Sequence, residues 1–358
     1  MGHQLSDIAA ATGLEGAGDL TLTIARPAEP SSAASGDLAL AMDERYAQAV
    51  SASAARAAVL WPGADWQALG LEAALFAPRS RVALAAIGEV FEAEVDLSPG
   101  IHPNAVIDPT ARLGEDCWVG AFTIVGPGVE IGPGARIAGQ CSIGRGARLG
   151  AGARLYPGVR IAHDVQAGDR LIVQYNAVIG GEGFSYVTPE RGSVESAKET
   201  GATSTEARNL SLRRIASLGS VHLGDEVEIG AGATIDRGTI ADTTIGSGTK
   251  IDNQVMLGHN VQVGETCMLC AQVGLAGSVK VGDRVVLGGQ VGCADHVEIG
   301  SDSVVAGGSL IGSRVPAGSV MMGVPAMPRD RFLSQLKFLR RAEKFSAEMA
   351  GIRRTLGL

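Results

Sequence analysis

The stretch from Ile245 to Gly274 reads IGSGTK IDNQVM LGHNVQ VGETCM LCAQVG, five blocks of six that each open on Ile, Leu or Val. Downstream the same position holds Leu275, Val281, Leu287, Cys293, Ile299, Val305 and Ile311. Only Cys293 departs from an aliphatic side chain, and a buried thiol behaves as a small hydrophobe. Upstream the series runs Ile101, Ile107, Leu113, Val119, Val125, Ile131, Ile137, Ile143, Leu149, Leu155, Ile161. It breaks there, resumes at Leu223, Ile229 and Ile235, and slips by four residues around Arg237–Ile240. A period of six is neither the 3.6 of a helix nor the 2 of a simple strand. It predicts a mainly β protein, a parallel β-helix in which each hexad supplies one short strand and one tight corner. Three hexads then close a coil of 18 residues, with the aliphatic residue inward and Gly, Asn or Asp at the corners. Coils bury their apolar ladders against one another, so the architecture is quasi-one-dimensional. A flexible Gly-rich linker would keep no aliphatic register.

Composition agrees with this reading. The 358 residues include 50 Gly and 14 aromatics; 46% are hydrophobic and 19% charged. Such a chain is too apolar for disorder, and no uninterrupted apolar run reaches the length of a membrane span. A formal charge of −8 argues against general nucleic-acid binding. The N-terminus lacks a basic region followed by an apolar core, so no secretory signal is expected. Five cysteines, an odd number, fit free thiols in a cytoplasmic protein. Cys267 and Cys270 form a CxxC without a second ligand pair at zinc-site spacing, so no metal site is expected.

Outside the repeat, residues 1–100 read as a small α/β domain. Helices are expected at Leu5–Thr12, Tyr46–Ala55 and Ser80–Phe91, with strands at Leu20–Ala25, Ala57–Trp61 and Ala73–Ala77. Residues 101–326 form the β-helix domain. The polar, aperiodic stretch 183–217 is an excursion from it, and loops of that length are usually functional or mobile. A stretched exit follows at Gly323–Ala326, and residues 327–358 read as a helical tail. Lys337, Arg340, Arg341 and Lys344 make that tail basic within an acidic protein.

Six histidines occur, of which His3, His102, His163 and His222 read as corner or surface residues. His259 and His296 stand apart by arithmetic. Gly277 lies 18 residues after His259, one full coil, and His296 lies 19 further on. With coils about 4.8 Å apart, the two imidazoles belong on one edge, on the order of 10 Å from each other. Between them stands a glycine whose N–H a ligand can approach. A general base, a backbone donor one coil away and a second imidazole make an acyl-transfer site. Met256, Met268 and Leu287 lie near these coils as candidates to close an acyl groove.

The segment Ile251–Asn260 resembles the catalytic signature of the UDP-3-O-acylglucosamine N-acyltransferases of lipid A biosynthesis. Four further segments match the same family: Glu228–Ala231, Ile235–Gly238, Ala271–Ser278 and Gly288–Gly292. Gly180–Tyr186 resembles the loop before that family's excursion. The resemblance implies a homotrimer of left-handed β-helices with sites in clefts between subunits. It implies transfer of an (R)-3-hydroxyacyl group from 4′-phosphopantetheine-linked acyl carrier protein to the 2-amine of UDP-3-O-acylglucosamine, with no metal or redox cofactor. By position, His259 is the general base, Gly277 the oxyanion donor and His296 an assistant. Asp252, Asn253, Gln254, Asn260, Phe184 and Tyr186 fall to substrate binding, with Asp252 orienting His259 or binding the sugar. Lys337, Arg340, Arg341 and Lys344 are the expected carrier contacts. The family's uracil site is a Phe-x-x-Asn-x-x-Tyr stretch. Here it reads Leu40, Asp43, Tyr46, so only Tyr46 remains for stacking. A related acyltransferase acting on another nucleotide-sugar or on a hydroxyl is the alternative enzyme, and a binding β-helix without catalysis the alternative of another class.

Overall fold

The computed structural model describes residues 2–92, 97–202, 210–323 and 328–357. It divides into two compact units, Met1–Glu94 and Val95–Leu358. The predicted exit at Val324–Ala326, and the domain boundary drawn there, lie outside the described residues.

The first unit is a five-stranded sheet in the order Glu15–Gly18, Ala73–Phe76, Ala57–Leu60, Asp37–Ala41, Arg26–Ala28. The first strand is antiparallel and the other four are parallel. Helices Leu5–Thr12 and Ser80–Phe91 cover one face, where Ile8 and Ile87 meet Leu38, Val59 and Leu75. The opposite face buries Ala39, Ala41, Leu60 and Val50. Both long helices run over the predicted residues. The expected strand at Leu20–Ala25 shrinks to Thr23–Ile24, paired with His3–Gln4. Glu15–Gly18 escapes a reading by propensity because its sequence, EGAG, contains no β-branched or aromatic residue.

The second unit stacks two-residue strands into three parallel sheets of ten, ten and nine strands among the described residues. The first face carries Ile251, Leu269 and Leu287, the second Leu257, Leu275 and Cys293, the third Val263, Val281 and Ile299. These side chains are buried, and so are Val255, Val261, Cys267, Val273 and Val279, four positions on from each aliphatic residue. Every hexad therefore sends two side chains inward. That places Cys267 in the core and separates it from Cys270, which is only half-buried.

Two expectations change. The register does not break after Ile161: Ala167, Val173 and Ile179 continue it, with strands Gln166–Ala167, Ile172–Val173 and Val178–Gly181. The glycines after the aliphatic residues do not supply the left-handed corner. A Cβ at Gly264 would come 2.6 Å from the Gly282 carbonyl carbon, so their role is close approach between coils. The left-handed residue comes two places later and is often Gln, Asn, Ser or His, as at Gln254, Asn260, Ser278 and His296, with φ of 58°, 62°, 62° and 60°.

The excursion leaves after Gly181 and returns at Val221, between the second and third faces. The six-residue connection Arg237–Asp242, which holds the four-residue slip, occupies that same corner one coil on. The next coils place His259, Gly277 and Asp295 there. Both departures from the six-residue rhythm thus sit beneath the two histidines. Within the excursion are a small antiparallel pair, Tyr186–Val187 with Arg213–Arg214, and a helix, Ser193–Thr200. The tail forms two helices, Arg329–Arg340 and Ala342–Thr355, joined by the Phe338–Phe345 ring contact at 6.1 Å.

Candidate active site

His259 is held by the slip one coil below. The side chain of its neighbour Asn260 donates through Nδ2 to the Ala241 carbonyl at 2.6 Å and accepts through Oδ1 from the Thr239 N–H at 3.0 Å. A backbone carbonyl only accepts and a backbone N–H only donates, so these two bonds fix which end of the amide is which. The Asn260 Oδ1 lies 3.1 Å from His259 Nδ1. As an acceptor it demands a proton on Nδ1, which leaves the lone pair of a neutral imidazole on Nε2. The sequence assigned Asn260 to substrate; its bonds here set the tautomer of His259.

Two glycines pack against the ring. A Cβ at Gly277 would stand 2.7 Å from both Nε2 and Cε1, and one at Gly183 would stand 2.8 Å from the His259 Cβ. The Gly277 N–H has no hydrogen-bond partner among the described residues. Its carbonyl accepts from the His296 N–H at 3.1 Å, so the coil bearing His296 steadies the Gly277 turn. Lone pair, free N–H and second histidine therefore share one edge.

Asp236, which the sequence quoted but gave no role, ends the strand below. The register Ile235 with Leu257 brings it beside Gly258, next to His259. Burial pushes its carboxyl up to about 6, and the charge of His259 opposes that rise. Counting through the four-residue slip would have found it. Next to it, Arg237 is buried and clamps the neck of the excursion. Its N–H donates to the Gly181 carbonyl at 2.8 Å and its Nε to the Gly219 carbonyl at 2.6 Å, while its Nη1 meets the His163 ring. Glu182 accepts from the Ser217 N–H at 3.0 Å and faces Arg214 at 3.2 Å. Those two groups, the N–H first, hold its carboxyl below the usual range. Phe184 and Tyr186 follow as an exposed ring pair 5.0 Å apart.

Other candidates lie elsewhere. Asp252, Asn253 and Gln254 occupy the corner between the first and second faces. There Asp252 accepts from the Asn253 N–H at 2.7 Å. Asp252 and Asn253 line an open groove of about 520 Å³ with Lys250 and Met268. Within one chain, the group that orients His259 is Asn260. Met256 is exposed on the second face, whereas Leu287 is buried inside the coil and cannot line a groove. In the first unit, Leu40 packs on the helix-covered face of the sheet and Tyr46 on the other. The Arg45 guanidinium lies 4.9 Å from the Tyr46 ring centroid, and Asp43 caps the following turn by accepting from the Arg45 N–H. Lys337, Arg340, Arg341 and Lys344 cluster at the elbow of the tail helices.

The bacterial transferase hexapeptide family (six repeats) matches residues 110–145, 122–157 and 242–277, and the hexapeptide repeat of succinyl-transferase matches 278–313. A UDP-3-O-acylglucosamine N-acyltransferase of Ruegeria pomeroyi is 50% identical over 356 residues, 99% of this chain and 98% of that protein. The chain belongs to this N-acyltransferase family. A relative of the same name from Paracoccus denitrificans is 49% identical over 71% of this chain and 69% of its own. The solved Arabidopsis UDP-N-acetylglucosamine acyltransferase shares the fold, with a TM-score of 0.52 at 22% identity over 63% of this chain and 71% of that one. The protein is an acyltransferase, and no helix among its described residues is long and apolar enough to cross a membrane.

Proposed function

We propose that this acyltransferase moves an (R)-3-hydroxyacyl chain from acyl carrier protein to the 2-amine of UDP-3-O-(3-hydroxyacyl)glucosamine, a step of lipid A biosynthesis in the cytoplasm. The observation that carries the reading is the pairing of an Nε2 lone pair with an unengaged Gly277 N–H on one edge. The amine nitrogen attacks the thioester carbon while His259 Nε2 takes its proton. The carbonyl oxygen gathers negative charge and is met by the Gly277 N–H. Collapse expels the carrier thiolate, which recovers the proton from the imidazolium, and His296 assists on the same edge. The thioester is already activated, so positioning and proton transfer suffice without metal or redox cofactor.

The column of outward residues on the second face suggests where the acyl chain lies. It runs Met256, Gly274, Gly292, Leu310, one coil apart. Gly274 faces open space, and a Cβ at Gly292 would already touch Leu310. Two bare glycines floor a groove about 14 Å long beside the histidine edge, with Leu310 as its end. A homotrimer is part of the same reading. Neighbouring prisms would set the Asp252–Gln254 corner of one chain against the His259 corner of another, giving Asp252, Asn253 and Gln254 a place at the acceptor sugar. Phe184 and Tyr186 flank that cleft, Tyr46 serves the uracil, and the basic elbow of the tail attracts the acidic carrier.

The test is transfer from 3-hydroxyacyl carrier protein to UDP-3-O-acylglucosamine by wild type and His259→Ala, with acetyl-CoA as a competing donor. A loss of at least several hundredfold in the variant is expected, the range of general-base and positioning effects. Wild-type transfer that ignores this acceptor, or that prefers acetyl-CoA, would sink the reading and point to a different acceptor or donor.

A further inference from the structure

The corners of the β-helix repeat a capping device. Two places after the inward aliphatic residue, a backbone N–H points toward the next coil. In six turns the Asp, Asn or Ser at the same place one coil on accepts it. Asp169 caps Ala151 at 2.8 Å, Asp225 caps Asp169 at 2.8 Å, and Ser247 caps Asp225 at 3.1 Å. Asn253 caps Ala231 at 2.7 Å, Asp283 caps Glu265 at 2.9 Å, and Ser301 caps Asp283 at 3.0 Å. In all six, the residue before the capped N–H is glycine: Gly150, Gly168, Gly224, Gly230, Gly264 and Gly282. The cap depends on that glycine. A Cβ at Gly150, Gly168 or Gly264 would lie 2.4, 2.1 or 2.3 Å from the capping carboxylate oxygen.

Gly277 occupies the capped place of its turn, and Asp295 stands one coil on, in the capping place. The cap is not made. The residue before Gly277 is Ala276, whose methyl occupies the space that glycine leaves in the other six turns. The Asp295 carboxylate instead meets Lys198 Nζ at 3.1 Å, from the helix of the excursion. That ammonium, with His296 as a lesser influence, holds the Asp295 carboxyl below its ordinary range.

We propose that Ala276 and Lys198 keep the Gly277 N–H open for the oxyanion, the methyl by excluding the Asp295 carboxylate from its capping place and the ammonium by giving that carboxylate another partner. Both are positioning residues that act through Asp295. The proposal rests on the reading of Gly277 as the oxyanion donor. A capped N–H would be occupied, and a carboxylate beside it would repel the charge that develops on the carbonyl oxygen. A donor aimed at that oxygen acts in the transition state and not on the bound substrate. Losing it therefore lowers kcat and leaves KM in place.

The experiment compares wild type, Ala276→Gly, Lys198→Ala, and each change combined with Asp295→Ala. Transfer is assayed with 3-hydroxyacyl carrier protein and UDP-3-O-acylglucosamine, and melting confirms that each variant is folded. Ala276→Gly is expected to lower kcat by about tenfold or more, the lower part of the range for a lost oxyanion donor. Adding Asp295→Ala should return most of that loss, because the competing acceptor is gone. Lys198→Ala should show a smaller loss with the same rescue, and its kcat should become less sensitive to salt than that of wild type, whose exposed ion pair is screened. An Ala276→Gly loss that Asp295→Ala does not rescue, or no loss at all, overturns the proposal while wild-type transfer stands. Absence of wild-type transfer would instead overturn the functional reading beneath it.

Discussion

At the scale of single residues, the site is a set of choices about where protons sit. Asn260 fixes one on His259 Nδ1 and so leaves the Nε2 lone pair for the proposed base role. Asp236 makes the opposite kind of choice. Its carboxyl, pushed up to about 6 by burial, holds a proton more tightly in the folded chain than in the unfolded one. Its share of stability is therefore complete below about pH 4 and is lost as pH rises through about 6. Asp236→Asn should remove that dependence. The melting temperature of the variant relative to wild type is expected to climb between pH 5 and 7, and a difference constant across that range would refute the assignment. His259, Gly277 and His296 were legible as a group because 18-residue arithmetic needs only a register. Asp236 was hidden by the four-residue slip, and the tautomer by bonds to the backbone of Thr239 and Ala241, which no spacing reveals.

At the scale of elements, the excursion is part of the histidine edge. Arg237 staples its departure and its return, Gly183 backs the His259 ring, and Lys198 reaches Asp295 two coils above that ring. Gly183→Ala should push the imidazole out of line and lower kcat by about tenfold or more, since small misplacements at a reacting centre are costly. The measurement is kcat with KM for both substrates, and an unchanged kcat would show that the ring tolerates the shift. The sequence marked 183–217 as an excursion by its polarity. Its contacts came from the fold, because the chain returns to a corner that hexad counting alone does not single out. Helices were the easier elements, as Leu5–Thr12 and Ser80–Phe91 each carry an apolar stripe. Strands such as Asp37–Ala41 and Arg26–Ala28 were missed: one is alanine-rich and the other has a proline at its centre.

For the whole molecule, the β-helix was readable on both sides of a gap, and three further hexads, through Gly181, lay unread inside it. Counting stopped at Ile161 because Ala167 is a weak member of the ladder, while Val173 and Ile179 resume it. The same stacking sets the proposed acyl groove, since every outward residue on a face is repeated one coil on. Gly292→Met should fill the groove midway and shift donor preference toward shorter chains, and Leu310→Ala should shift it toward longer ones. A panel of acyl carrier protein donors of graded length reads this, and a preference unmoved by either change would place the chain elsewhere. The excursion also bears on how the chain reaches its native state. An ordinary coil closes a ring of 18 residues, but the coil that joins Gln166 to His222 closes one of 56. That longer ring costs about 1 kcal/mol more in closure entropy. Pairing can propagate freely through the coils on either side, so the junction at Ala167 and Leu223 is where zipping slows. The two solenoid halves are therefore expected to form before they join beneath the corner that holds His259, with the Ala167–Leu223 pairing protected last in pulsed hydrogen exchange.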